Sequence, residues 1–261
     1  MHRLVIIGGG RMGEALLGGL LAAGWSPDDL AVVEALAARR DELRAAHPGV
    51  TVSDAALPAA GAVVAVKPGD VAGAVASAVA AGAERVLSIA AGVTLAALEA
   101  AAGRPVPVVR AMPNTPALVG AGAAAVAPGT HAGEADLAWA EELLGAVGVV
   151  VRVSEPLLDA VTGVSGSGPA YVFLVAEALI EGGVLCGLPR ETARVLAVQT
   201  LLGSAQLLAS SEDGPEALRA GVTSPAGTTA AGLLALERAG TRAAFLDAVL
   251  AATERARQLG S

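Results

Sequence analysis

Four kinds of residue are scarce in this 261-residue chain, and each scarcity closes off a class of protein. There is one cysteine, Cys186, so no disulfide forms within the chain. Three histidines, His2, His47 and His131, lie far apart in sequence, which gives a Cys/His metal site little support, and no metal is expected. Aromatic residues make up 2% although hydrophobic residues reach 54%. The core must therefore be packed from Ala, Val and Leu, with close helix contacts through small side chains. Lysine occurs once, at Lys67. A net charge of −8 argues against nucleic acid or an anionic membrane as partner, but leaves a phosphate-bearing cofactor allowed.

Long uninterrupted apolar runs are also missing. Residues 1–7 are too short for a secretory signal. Residues 169–188 are broken by Glu177, Glu181, Gly182 and Gly183, and read as a buried helix or subunit interface rather than a membrane span. The expected compartment is the cytosol.

The first half alternates β-type and helical runs. Short Val-, Ile- and Ala-rich stretches at 4–7, 30–33, 62–66, 85–90, 106–110, 123–126 and 148–152 read as strands, most of them followed by helical sequence. That alternation predicts a mostly parallel, Rossmann-type α/β sheet covered on both faces. From Glu155 onward the period becomes helical, with helices expected over 156–163, 169–186, 190–210, 215–220, 226–239 and 242–259. Two domains follow: 1–153 for a dinucleotide and an all-α domain over 154–261.

Between the first strand and helix lies Gly8-Gly9-Gly10-Arg11-Met12-Gly13, a match to G-x-G-x-x-G. Gly8 would make the tight turn, Gly10 would let the backbone approach a pyrophosphate, and Gly13 would let helix and strand pack closely. Arg11 and Met12 open the helix. Alone the motif is weak, but the strand before it and the helix after it raise its value; the alternative is an ordinary glycine-rich turn. Glu34, ending the second strand, is placed to accept hydrogen bonds from an adenosine ribose and to repel a 2′-phosphate. Arg39 and Arg40 could argue for NADPH, but a solvated helix face is the favoured reading for both. NADH and NADPH both stay open as cofactors, with a lean to NADH from Glu34 alone.

Val66-Lys67-Pro68 ends a further strand, where a lysine at a sheet's carboxyl end faces the ligand crevice. Ala90-Ala91-Gly92 would set small residues and free amides beside a nicotinamide. Asn114, between two prolines, either binds the nicotinamide carboxamide or satisfies its own backbone. Arg110 either pairs with a substrate carboxylate or holds its loop. Ser165-Gly166-Ser167-Gly168-Pro169 either borders the site or packs helices, packing being favoured.

Far along the chain, Thr223-Ser224-Pro225-Ala226-Gly227-Thr228-Thr229 sets hydroxyls around a proline and a glycine ahead of an apolar run. Ser224 reads as a helix cap with Pro225 in the first turn. Free amides at such a helix start hold an anion such as a carboxylate.

Taken together, these segments resemble pyrroline-5-carboxylate reductase over essentially the whole chain. The glycine loop is shared by many dehydrogenases; residues 222–229 are highly specific to the family. The resemblance implies reduction of 1-pyrroline-5-carboxylate to L-proline with NADPH or NADH. It assigns substrate contacts to Ser224 and Thr229, a backbone contact to Gly227 and Thr228, and a nearby carboxylate to Glu212. Thr229 and Ser224 are the expected catalytic pair. It also implies homodimers with intertwined C-terminal helices, in some members assembled further into decamers. Ala226 departs from the family's usual glycine, and Gly221 from a polar side chain. Two rivals are a hydroxyacid-type dehydrogenase, which needs a lysine in the helical half where there is none, and a non-catalytic dinucleotide sensor.

Overall fold

The computed structural model describes residues 1–260. Its sheet is built from β1 (His2–Ile7), β2 (Leu30–Val33), β3 (Thr51–Ser53), β4 (Ala59–Val64), β5 (Arg85–Ser88), β6 (Val108–Met112), β7 (Gly122–Pro128) and β8 (Gly148–Arg152). Helices α1 (Arg11–Ala22), α2 (Ala37–Ala46), α3 (Val71–Ala80), α4 (Leu95–Ala102) and α5 (Glu134–Gly145) fall between strands. The strand order is β3-β2-β1-β4-β5-β6-β7-β8, with only the β6–β7 pair antiparallel. The order reverses between β1 and β4, and ligands of such sheets bind at the carboxyl ends beside that point.

Alternating side chains of β1 feed two cores. Val5 and Ile7 join Val64, Val75, Val86 and Leu98 on one face; Leu4 and Ile6 join Leu16, Leu17, Leu20 and Leu143 on the other. Each fully buried side chain of this size contributes about 1.5–3 kcal/mol. With so few aromatics, the one large ring buried within the second core, Trp139, needs room made for it; Trp25 packs against that core only partly buried. A Cβ on Gly61 would lie 2.7 Å from the Trp139 ring, so β4 carries no side chain there.

Three details differ from the sequence reading. β3 is an unforeseen edge strand, too short and too polar to show a period. β7 and β8 run against the other six strands. The helix expected over 156–163 is a composite: a 3₁₀ turn (Glu155–Leu157), α6 (Leu158–Val161) and a π turn (Thr162–Gly166). These residues pack on the sheet, where Leu158 is fully buried in the first core. Contacts accordingly group Met1–Ser167 with Leu250–Ser261 in one compact unit and Gly168–Val249 in another.

The second unit holds α7 (Gly168–Leu185), α8 (Arg190–Ser210), α9 (Pro215–Gly221), α10 (Thr228–Arg238) and the first turns of α11 (Thr241–Leu259). Small residues bring α7 and α8 together: a Cβ on Gly183 would sit 2.9 Å from the Ala193 Cβ. Little else is covered. Phe173 is 63% exposed, Leu174 65% and Leu185 88%, and Ala193 and Ala197 are the buried apolar residues of the unit. Apolar surface on that scale requires a partner. The helical run Glu155–Leu185 is also long and apolar enough to cross a membrane by length and composition.

Among the described residues, Ala226 alone has a positive φ without being glycine, at 57°. It follows Pro225 in the turn closed by Gly227 N donating to Ser224 O at 3.1 Å. The left-handed region costs an L-residue about 1–2 kcal/mol, and the lower entropy of unfolded alanine offsets about 0.4–1 kcal/mol of that. Ala226→Gly should therefore raise the melting temperature by about 2–4 °C. A lower Tm in that variant would show that the turn bears no strain.

Candidate active site

The glycine loop is shaped by contacts that identify the job of each glycine. Gly8 has φ +105°, and a Cβ there would lie 2.6 Å from Ala65 O. A Cβ on Gly13 would meet Gly8 O at 2.0 Å. These two residues are glycine because β1, β4 and α1 converge. Gly10 is different: it has an ordinary φ of −69° and a Cβ would meet nothing within 4 Å. Protein packing does not explain it; a glycine here leaves the backbone open to close approach by a ligand. Gly10 is the N-cap of α1 and supplies no side-chain hydrogen bond, so the first amides of the helix face outward for an anion. The loop thus fits a dinucleotide pyrophosphate.

Glu34 sits at the end of β2 with both carboxylate oxygens engaged. One accepts from Gly9 N at 3.0 Å, the other from Leu36 N at 2.9 Å. Arg39 and Arg40 are not the solvated pair expected. Arg39 Nε donates to Gly9 O at 2.8 Å, and its two terminal nitrogens donate to Glu42 (2.6 Å) and Glu14 (2.5 Å). Arg40 donates to Glu34 O and Ala35 O. α2 is therefore bolted to the glycine loop. His47 Nε2 lies 3.3 Å from the second Glu14 oxygen. Burial alone would raise the Glu14 carboxyl, but the hydrogen bonds and charges of Arg39 and His47 outweigh it and hold it below its usual value. Glu42 and Glu14 in turn push the Arg39 guanidinium up.

Beyond β4, Val66 is half-buried, while Lys67 and Pro68 are exposed and open a 3₁₀ turn; Lys67 makes no ion pair among the described residues. Ser88, the last residue of β5, is fully buried, and beyond it Ala90-Ala91-Gly92 turn through a positive φ at Gly92. Arg110 does not await a substrate carboxylate. It donates to Glu155 at 2.8 Å, and the same Glu155 oxygen accepts from Leu95 N at 2.6 Å. Asn114 also serves the fold: Oδ1 accepts from Ala123 N at 2.8 Å and Nδ2 donates to Ser165 O at 3.0 Å. The serine-glycine segment packs as favoured, since a Cβ on Gly166 would lie 2.6 Å from Met112 Cε.

In the helical unit, α10 begins at Thr228 with Gly227 as its N-cap, and no side chain caps it. The cap expected of Ser224 is absent because three residues of turn intervene. The Ser224 hydroxyl instead lies over Gly227, where a Cβ would be 2.3 Å from Oγ. Thr223 hydroxyl donates back to Arg219 O at 2.6 Å. The Ser224 and Thr229 hydroxyls make no hydrogen bond among the described residues, and the leading amides of α10 are uncapped. Two hydroxyls without partners beside uncapped amides are an arrangement able to hold a small anion with a second polar atom. Glu212 is exposed in the link between α8 and α9.

Fold and site define a dinucleotide-dependent oxidoreductase with a separate helical region. Residues 155–259 match the family model for pyrroline-5-carboxylate reductase dimerisation, and residues 3–92 match a model described as NADP oxidoreductase, coenzyme F420-dependent. The pyrroline-5-carboxylate reductase of Synechocystis is 48% identical, over 99% of this chain and 98% of its own. A solved reductase from Coxiella burnetii superposes with a TM-score of 0.93 at 35% identity, covering 100% of this chain and 99% of that one. The Plasmodium falciparum pyrroline carboxylate reductase, solved with NADP bound, gives a TM-score of 0.86 at 29% identity, covering 100% and 98%. The chain belongs to the pyrroline-5-carboxylate reductase family.

Two substitutions separate the roles of the glycines. Gly13→Ala should destabilise the fold by several degrees in Tm, whereas Gly10→Ala should leave Tm unchanged and weaken NAD(P)H binding by fluorescence titration. Equal coenzyme affinity in Gly10→Ala would remove the pyrophosphate from that position. Acid titration tests the Glu14 clamp. A carboxylate with a depressed pKa contributes stability that is complete above its unfolded value of 4.5 and is lost as pH falls through the lower folded value. Glu14→Gln should therefore melt below the parent at pH 7, with the gap closing as pH drops below 4.5. A gap independent of pH would show that the carboxylate charge is idle.

Proposed function

We propose that this chain reduces 1-pyrroline-5-carboxylate to L-proline with NAD(P)H, the last step of proline biosynthesis. The observation that carries the reading is the turn at 224–229, a helix start with uncapped amides and two unengaged hydroxyls, in a chain of this family. Bound NAD(P)H supplies a hydride to the imine carbon, and a proton completes the amine. In our reading Gly8, Gly10, Arg11, Met12 and Gly13 hold the pyrophosphate, Glu34 the ribose, and Val66, Lys67, Pro68, Ala90, Ala91 and Gly92 the nicotinamide end. The Ser224 hydroxyl and the amides of Gly227, Thr228 and Thr229 hold the substrate carboxylate, and Glu212 approaches from the neighbouring link.

An imine accepts hydride far more readily when its nitrogen is protonated or strongly hydrogen-bonded. The Thr229 hydroxyl is the donor to that nitrogen, preorganised in the first turn of α10. No histidine takes part. The lysine-dependent hydroxyacid dehydrogenases find no counterpart, because no lysine follows Lys67. We divide the chain by role into a dinucleotide-binding region, 1–153, and a substrate-binding and dimerisation region, 154–261. The exposed apolar helices support self-association as a homodimer that can stack further into a decamer. The chain is cytoplasmic in this reading, and the run Glu155–Leu185 meets a second subunit rather than lipid.

Oxidation of NADH and NADPH followed by absorbance, with pyrroline-5-carboxylate as acceptor, is the direct test. Thr229→Ala should lower kcat at least about tenfold with coenzyme affinity nearly unchanged. Full turnover in that variant would take Thr229 out of its role, and no turnover by the parent chain would leave a sensor.

A further inference from the structure

The groove beside the glycine loop carries information about which coenzyme fits. It holds about 650 Å³ and is open to solvent, and its charged lining consists of Glu14, Glu34 and Glu42 against Arg11 and Arg39. Carboxylates therefore outnumber cations. Glu34 lies in it with a fixed orientation, since Gly9 N and Leu36 N each hold one oxygen. A carboxylate held this way accepts hydrogen bonds from a ribose diol through its remaining lone pairs. It also faces any phosphate placed on the same ribose, which bears close to two negative charges at neutral pH.

Selectivity for NADPH ordinarily comes from an arginine free to meet that phosphate. Here Arg39 and Arg40 of α2 are already engaged. Arg39 is shared among Gly9 O, Glu14 and Glu42. Arg40 is turned onto the carbonyls of Glu34 and Ala35, with Asp54 at 3.6 Å. Arg11, the first residue of α1, also lines the groove and makes no ion pair among the described residues, so Glu34 and not a shortage of cations must set the preference.

We infer that this chain is selective for NADH, with Glu34 as the residue that reads the unmodified ribose and Arg39 withheld from phosphate by Glu14 and Glu42. The inference rests on the dinucleotide reading of the glycine loop and not on the identity of the imine. Its consequence is specific: the coenzyme NADP, bound by the Plasmodium relative, is the weaker ligand for this chain.

Binding measured by titration calorimetry, without imine present, tests it on the full-length protein. The parent chain should bind NADH at least about tenfold more tightly than NADPH, the effect of one close unscreened charge. The same ratio should separate 5′-AMP from 2′,5′-ADP, which lack the nicotinamide. Glu34→Gln keeps an oxygen for a backbone amide but removes the charge, and should collapse the ratio by strengthening NADPH. Glu42→Gln loosens one hold on Arg39 and should move the ratio in the same direction. NADPH binding as tight as NADH in the parent overturns the inference alone. So does a Glu34→Gln variant that weakens both coenzymes in parallel, because Glu34 would then only brace the loop. Failure of both coenzymes to bind overturns it together with the dinucleotide reading.

Discussion

The close approach of three backbone segments at the carboxyl end of β1 is the constraint from which the site follows. Gly8 O, Gly13 and Ala65 O leave no space for side chains between them, as Cβ positions at 2.0 and 2.6 Å show. Packing at that distance aims the start of α1 at the point where strand order reverses. Anion-binding amides, the end of β2 and the end of β4 then surround one crevice without any further device. The surrounding hydrogen bonds (Gly8 N to Val33 O, Ala65 N to Ile7 O and Glu34 N to Ser53 O) set the ends of four strands in register.

On that frame the polar residues form one connected brace. Glu34 grips the loop amide of Gly9, Arg39 grips the carbonyl of the same residue, and Glu14 ties Arg39 back to α1. An exposed ion pair contributes little by itself. Three charged side chains meeting at one loop do more, because each holds another in a single rotamer. The same brace that steadies the loop also settles its charge, so fixing the glycine turn and selecting a coenzyme become one property of α1, β2 and α2. A second hub works likewise: Glu155 joins Arg110, in the middle of β6, to the first amide of α4.

Much of this was legible in the sequence, and the parts that were not share a cause. Periodicity located the apolar strands and nearly every helix, since burial repeats at two or 3.6 residues whatever surrounds it. The glycine motif announced its own geometry. Arg39 looked solvated because its partner Glu14 lies 25 positions away. Arg110 and Asn114 looked available for ligands for a similar reason: Glu155 lies 45 positions from Arg110, and Ser165 lies 51 from Asn114, whose other partner is Ala123. A polar side chain in a loop shows its type locally but its occupancy only in three dimensions. The antiparallel β6–β7 pair escaped because strand direction leaves no trace in composition. At Ser224 the error was of register: the hydroxyl, proline and glycine are where a cap would have them, but helical φ and ψ begin only at Thr228.

That displaced register changes what the turn can do. A capping serine would have its oxygen occupied by the second or third amide of α10. With Gly227 as the cap, the amides stay open, and the serine hydroxyl rests against the turn without a partner. Ala226 sustains the arrangement in a left-handed conformation that an L-residue adopts only at a cost. A strained residue next to donors without partners supports the proposed reading of this turn as a binding site. The two halves of the chain share one device in the proposed reading: at Gly10 and at Gly227 a helix begins without a side-chain cap, which leaves its first amides open to an anion.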